Sequence, residues 1–348
     1  CSDSGEARTR VIRKQGPAHA DPAGAARSGS RAAQGGFGVT EIVTLTMNPS
    51  IDVYTSVEHV TPDRKLRCSR PGHDPGGGGI NVSRVIHTLG GETAAVYPAG
   101  GPMGKLLEEF LDRQGIEQHS VPIEGWTRQN LVVLEEASGR QYRLGMPGPE
   151  MAANELDRCL QEVATVCGDC SYLVASGSLP PGAPADFYGL VARIARDKKS
   201  RLIVDTSGDA LRHATDIGVF LLKPNAGELS ALVGRDLNTE DEQYQAAHQI
   251  IERGGTEAIV ISLGAGGVVL VTKDGELEVR APTVPIRSKV GAGDSMVGGI
   301  TLALARGEFL QEAVRLGVAA GAAAVMTPGT ELCRREDTER ILAGMQRQ

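Results

Sequence analysis

Short runs of β-branched and apolar residues recur along the chain at 42–46, 93–97, 172–175, 202–204, 219–222, 258–262 and 268–271. Between most of them lie helical patterns, at 105–114, 155–166, 185–196 and 240–253. Uninterrupted apolar strands are buried on both faces, and strands that alternate with helices pair in parallel because each connection crosses over. The fold class expected is therefore α/β, with helices covering both faces of a mostly parallel sheet. Such sheets bind ligands beyond the carboxyl ends of their strands, so the turns after strands are where chemistry is expected.

A length of 348 residues suits one large α/β domain. Residues 1–38, rich in Arg, Ala, Gly, Ser and Pro, lack apolar periodicity and are expected to form a disordered extension ahead of a domain over 39–348. They contain no secretory apolar region, and the leading Cys1 reads as a truncated or mis-started frame rather than a lipid-modified terminus. Two segments break the alternation, 53–73 and 128–143, and are expected to form antiparallel strands of a lid over the sheet edge. A formal net charge of -7 without a basic stripe argues against a nucleic-acid surface. No apolar run approaches the ~20 residues of a membrane span. Six scattered cysteines fit a reducing, cytoplasmic setting. Cys167 and Cys170 form the sole C-x-x-C, expected as two buried or edge thiols with at most a weak redox role.

Three turns carry chemistry. Val290-Gly291-Ala292-Gly293-Asp294 leads into an apolar helical run, which places one carboxylate at a glycine-lined helix N-terminus where converging N–H groups favour a phosphoryl group. Asp74-Pro75-Gly76-Gly77-Gly78-Gly79-Ile80-Asn81 precedes a helix whose apolar positions are Val82, Val85, Ile86 and Leu89. Its glycines leave backbone open to a polar substrate, and the Asn81 amide can serve hydroxyls. Lys223-Pro224-Asn225-Ala226-Gly227-Glu228 follows a strand, with Asn225 and Glu228 three apart, an arrangement suited to hydrated Mg²⁺ travelling with a nucleotide. Each turn has a plainer reading as a helix cap or flexible loop. Gly101-Pro102-Met103-Gly104-Lys105-Leu106 imitates the end of a P-loop but fails at Ala99 and Leu106.

Taken in this order, the three turns resemble the ribokinase/PfkB carbohydrate-kinase family, from residue 42 to 348. The 44–52, 65–68, 126–130, 176–182 and 291–298 segments look like the branch that acts on a phosphorylated hexose. The resemblance implies a ribokinase-like three-layer α/β/α fold with a small β-sheet lid. It implies transfer of phosphate from ATP to the C1 hydroxyl of D-fructose 6-phosphate, with Asp294 as general base and the amides of Gly291, Ala292 and Gly293 around the transferred group. Asp52, Gly77, Gly78 and Asn81 would hold the sugar; Lys65, Arg128, Arg143 and Ser178 would hold its phosphate, with Lys65 reaching across a homodimer formed through the lid. Lys223, Asn225, Glu228, Ser262, Gly264 and Gly267 would serve ATP and Mg²⁺. A K⁺ site is implied at Ser288, Val290, Ala324, Thr327, Gly329 and Glu331, although Thr327 and Glu331 depart from the Asn and Arg of the resembled enzymes. Tagatose-6-phosphate kinase and 1-phosphofructokinase share these motifs. A non-catalytic sugar-phosphate sensor would lose the base or the metal shell, and both are present here.

Overall fold

A computed structural model describes residues 11–12 and 41–345. In chain order the strands are β1 (Val11–Ile12), β2 (Ile42–Leu45), β3 (Ser50–Val57), β4 (Gly72–Gly76), β5 (Ala94–Ala99), β6 (Glu117–Pro122), β7 (Arg128–Glu135), β8 (Arg140–Leu144), β9 (Tyr172–Ser176), β10 (Arg201–Asp205), β11 (Val219–Leu222), β12 (Thr256–Ser262), β13 (Val268–Thr272) and β14 (Gly275–Val279). The helices are α1 (Gly78–Thr88), α2 (Gly101–Arg113), α3 (Ala153–Val166), α4 (Phe187–Lys198), α5 (Gly208–Ile217), α6 (Ala226–Val233), α7 (Glu240–Glu252), α8 (Ala292–Ala305), α9 (Leu310–Val325) and α10 (Arg335–Met345).

The large sheet runs β1-β14-β13-β12-β11-β10-β9-β2-β5-β6, parallel from β12 through to β6 and antiparallel among β12, β13, β14 and β1. Side chains alternate faces along each strand. In β9, Leu173 and Ala175 join a core with α3 to α7, while Tyr172 and Val174 join one with α1, α8, α9 and α10. Ile203 of β10 and Val260 of β12 likewise face the second core, and their neighbours Val204 and Ile261 the first. The result is the expected three-layer α/β/α arrangement. The chain proceeds from β2 outward to β5 and β6, then returns to build β9 to β12 on the other side of β2. The strand order therefore reverses between β2 and β9, the point beyond whose carboxyl ends open α/β sheets bind ligands.

The lid is a separate sheet ordered β4-β3-β7-β8. It departs from the expected all-antiparallel pairing, because β3 and β7 run parallel over eight residues. The cause is topological: β3 continues from β2 and β7 from β6, and β2 and β6 lie in the same parallel sheet. The N-terminal extension also departs from its expectation at one point, where Val11–Ile12 pairs antiparallel with Leu277 and Glu276 on the exposed edge of β14. The remainder of residues 1–38 lies outside the described residues. Cys167 and Cys170 are joined in a buried disulfide rather than left as thiols; the turn closing α3 brings their Cα atoms to 5.0 Å, within bonding range. Among the described residues no helix is long and apolar enough to cross a membrane.

Candidate active site

The candidate base, Asp294, sits at the start of α8. Gly291 caps this helix with φ 71, a left-handed conformation that a Cβ disfavours. The first helical bond runs from Ser295 N–H to Gly291 O at 2.8 Å, so the N–H groups of Ala292, Gly293 and Asp294 precede any intrahelical acceptor. Gly293 keeps this surface open: a methyl group there would lie 3.6 Å from Lys223 Nζ and 4.0 Å from Asp205 Oδ2. Lys223 Nζ pairs with Asp205 Oδ1 at 3.1 Å. Burial disfavours the ammonium, but Asp205, with Glu228 and Asp294 nearby, more than offsets this and holds the Lys223 pKa above its ordinary value. A permanent cation thus faces the glycine-lined helix end.

Asp294 is half-buried, and its carboxylate accepts a hydrogen bond from Asn81 Nδ2 at 2.9 Å. Burial and the neighbouring Asp205 push its pKa up from 3.8 to about 6, against the Asn81 hydrogen bond and Lys223, which favour the charged form. It is ionised at neutral pH yet a far better proton acceptor than an ordinary aspartate, as a general base must be.

Asn81 comes from α1, and the glycines before it also pack closely. A Cβ at Gly78 would stand 2.3 Å from Ser176 Oγ and 2.7 Å from Ser176 C, so its absence lets the helix start wedge against the end of β9. The Asn81 amide donates to Asp294 and accepts from Arg84 Nη1 at 3.3 Å. Asp52, on β3, is fixed through Oδ1 by Ser50 Oγ at 2.7 Å and Asn130 Nδ2 at 2.9 Å, and its Oδ2 lies against Gly76.

The phosphate-binding candidates are more dispersed. Ser178 is exposed on the turn after β9 and accepts from Asn48 Nδ2 at 3.2 Å. Arg128, at the start of β7, donates through Nη1 to Met146 O at 2.8 Å and through Nη2 to Asn48 O at 2.9 Å, tying the lid to the turn after β2. Its Nε is buried without a partner. Arg143 is exposed on β8, and Lys65 is exposed on the loop joining β3 and β4.

On the nucleotide side, Asn225 and Glu228 form the capping box of α6: Glu228 N–H donates to Asn225 Oδ1, and Asn225 N–H donates to Glu228 Oε2, both at 2.9 Å. The helix-start reading of this turn therefore holds, and a role for it in metal binding would fall to the second Glu228 oxygen. Ser262 N–H donates to Pro224 O at 2.9 Å, binding this turn to the Gly264–Gly266 turn after β12. A cavity of about 420 Å³ opens between them and α8, lined by Lys223, Gly264, Gly267, Ile286, Gly293 and Met296, among others. The cation candidates also converge. Ser288 Oγ donates to Gly329 O at 2.7 Å, and Thr327 Oγ1 lies 2.7 Å from Ala324 O and 2.6 Å from Glu331 O. One hydroxyl has one proton, so it satisfies only one of those two carbonyls, and the other is left as a close oxygen pair that a cation would relieve.

Sequence reasoning missed Asp205, Asn130, Asn48 and Arg84. Asn48 and Asn130 lay within segments already singled out; Asp205 and Arg84 are lone polar residues with no spacing signal.

A carboxylate raised toward neutrality at a glycine-lined helix N-terminus, beside a buried lysine and a nucleotide-sized cavity, defines a sugar-kinase type of centre on a ribokinase-like fold. The chain belongs to the pfkB family carbohydrate kinases, whose profile matches residues 41–337. It is 47% identical over 304 residues to the ATP-dependent 6-phosphofructokinase isozyme 2 of Mycobacterium tuberculosis, covering 87% of this chain and 89% of that one. It is 44% identical over 310 residues to the isozyme 2 of Escherichia coli, covering 89% and 100%. Crystal structures of the E. coli phosphofructokinase-2 in complex with potassium and with fructose-6-phosphate match with TM-scores of 0.85 and 0.84, at 44% and 43% identity, over 88% of this chain and 99% of theirs.

Proposed function

We propose that this protein transfers the γ-phosphoryl group of ATP to the C1 hydroxyl of D-fructose 6-phosphate, giving fructose 1,6-bisphosphate. The observation that carries the reading is the 2.9 Å contact between Asn81 and Asp294, which joins the tetraglycine helix to the glycine-lined helix and seats the base between them. Asp52, held by Ser50 and Asn130, orients the sugar through its hydroxyls. Asp294 takes the C1 proton as that oxygen attacks in line. The charge on the transferring group falls on the free N–H groups of Ala292, Gly293 and Asp294 and on Lys223, a preorganised set that needs no rearrangement during the reaction. Glu228, with Asn225, would hold hydrated Mg²⁺, whose hard-oxygen preference suits these donors and which neutralises phosphate charge. Carbonyls of Ala324, Gly329 and Glu331, with Ser288, Val290 and Thr327, suit K⁺ close behind the helix start. The structure solved with potassium in a relative 44% identical supports that assignment.

The 6-phosphate is assigned to Ser178, Arg128 and Arg143, with Lys65 supplied by a second subunit. Exposed Tyr54, Leu66, Tyr142, Leu144 and Met146 on the lid would form the dimer contact and close the cleft against water. A cytoplasmic location follows from the substrate. A coupled ADP-release assay with fructose 6-phosphate, fructose 1-phosphate, tagatose 6-phosphate and unphosphorylated sugars tests this reading. We expect the highest kcat/KM with fructose 6-phosphate; ADP release with none of the sugar phosphates would refute it.

A further inference from the structure

Arg84 lies on α1 one turn beyond Asn81, with its side chain 11% exposed. Every arm of its guanidinium is used. Nε donates to Gln114 Oε1 at 3.1 Å, Nη1 to Pro75 O at 2.9 Å and to Asn81 Oδ1 at 3.3 Å, and Nη2 lies 3.5 Å from Asp74 Oδ1. Asp74 in turn accepts from Thr330 Oγ1 at 2.5 Å, in the loop that carries Gly329 and Glu331.

A carboxamide has nearly the same shape in its two flipped orientations but opposite hydrogen-bonding character at each end. If Asn81 flipped, an oxygen would meet the Asp294 carboxylate and the donor would be lost. A guanidinium offers donors only, so its contact with Oδ1 fixes which end is which. We propose that Arg84 is a positioning residue for phosphoryl transfer: it locks the Asn81 amide so that Nδ2 points at Asp294 and holds the base in line with the sugar hydroxyl. Through Asp74 and Thr330 the same guanidinium ties that alignment to the 327–331 loop. The inference rests on Asp294 being the base.

The charged groups facing Asp294 are Asp205, Asp52, Lys223 and Arg84. Arg84→Lys preserves the charge but replaces a planar fork with one ammonium that cannot span the four acceptors, so it isolates orientation from charge. With a melting curve confirming the fold, we expect kcat to fall about ten- to hundredfold, as for a misplaced catalytic group, while KM for both substrates is kept. Loss of the Asn81 donor also moves the acidic limb of the kcat profile to higher pH. Gln114→Met, which removes one anchor of Nε, should move both readouts in the same direction by less. Adding Arg84→Lys to Asn81→Ala should cost nothing further, because no amide remains to orient. An unchanged kcat and pH limb in folded Arg84→Lys and Gln114→Met, or additive losses in the double variant, overturns the proposal. Asp294→Asn, run in parallel, separates the two claims: if it keeps normal turnover the base assignment fails, whereas if it is inactive and Arg84→Lys is normal only the present inference fails.

Discussion

Replacing Asp294 by Asn removes the proton acceptor while keeping an oxygen to accept from Asn81, and its consequences for rate and for stability have opposite signs. A general base contributes roughly 10²–10⁴-fold, so kcat should fall by that factor with substrate binding nearly kept. The stability effect follows from the raised pKa. The folded carboxyl titrates near 6 against an ordinary 3.8. Between those pH values the native state holds the proton more tightly than the unfolded chain, and stability therefore falls as pH rises through this window. Above it, the folded state carries a penalty of about 3 kcal/mol, an upper figure because the group is not fully enclosed. Asn avoids that penalty. In thermal melts the variant should gain up to about 5 °C at pH 7.5, a gain that shrinks as pH falls through the window and vanishes only well below 3.8, where Asp294 is protonated in both states. A variant that is active, or one equally destabilised above and below this window, would refute the reasoning that burial beside Asp205 tunes this carboxylate as a base.

Three further outcomes follow from the geometry. In the intact enzyme, kcat at saturating substrates should halve near pH 6 and fall to about a tenth by pH 5; a profile flat to pH 5 would contradict the assigned base. Gly78→Ala places a Cβ 2.3 Å from Ser176 Oγ and 2.7 Å from backbone, so it should cost roughly 1–3 kcal/mol by overpacking, read as a lowered denaturant midpoint; an unchanged midpoint would show that the helix start is not wedged there. Exchanging K⁺ for tetramethylammonium should lower both the melting temperature and kcat, since the close oxygens around Thr327 Oγ1 lose their counter-charge; identical melting in both salts would argue against the cation site.

The layers of the fold were legible because they depend on periodicity. Strands such as 172–175 are apolar throughout, and helices such as 155–166 repeat on one face, so both signals are local. β6 (Glu117–Pro122) escaped notice because, as an edge strand, it buries only Val121 and reads as polar. The parallel pairing of β3 with β7 depends on where distant strands end, which no local pattern records. Asp294, Lys223 and Asn81 could be singled out because they sit in glycine- or proline-marked turns. The contacts of Asn81 could not be read there, since its partners lie 3 and 213 positions away and only the fold selects them. Asp205 ends an ordinary apolar strand and gains meaning only from Lys223 beside it.

The most direct measurement of the account is the position of the new phosphate. Incubated with MgATP and fructose 6-phosphate labelled with ¹³C at C1, the protein should form ADP and an equal amount of a sugar bisphosphate whose C1 carbon shows coupling to phosphorus. A product phosphorylated at another carbon, or ADP formed without a phosphorylated sugar, would contradict the claim that three distant stretches of this chain meet to activate the C1 hydroxyl.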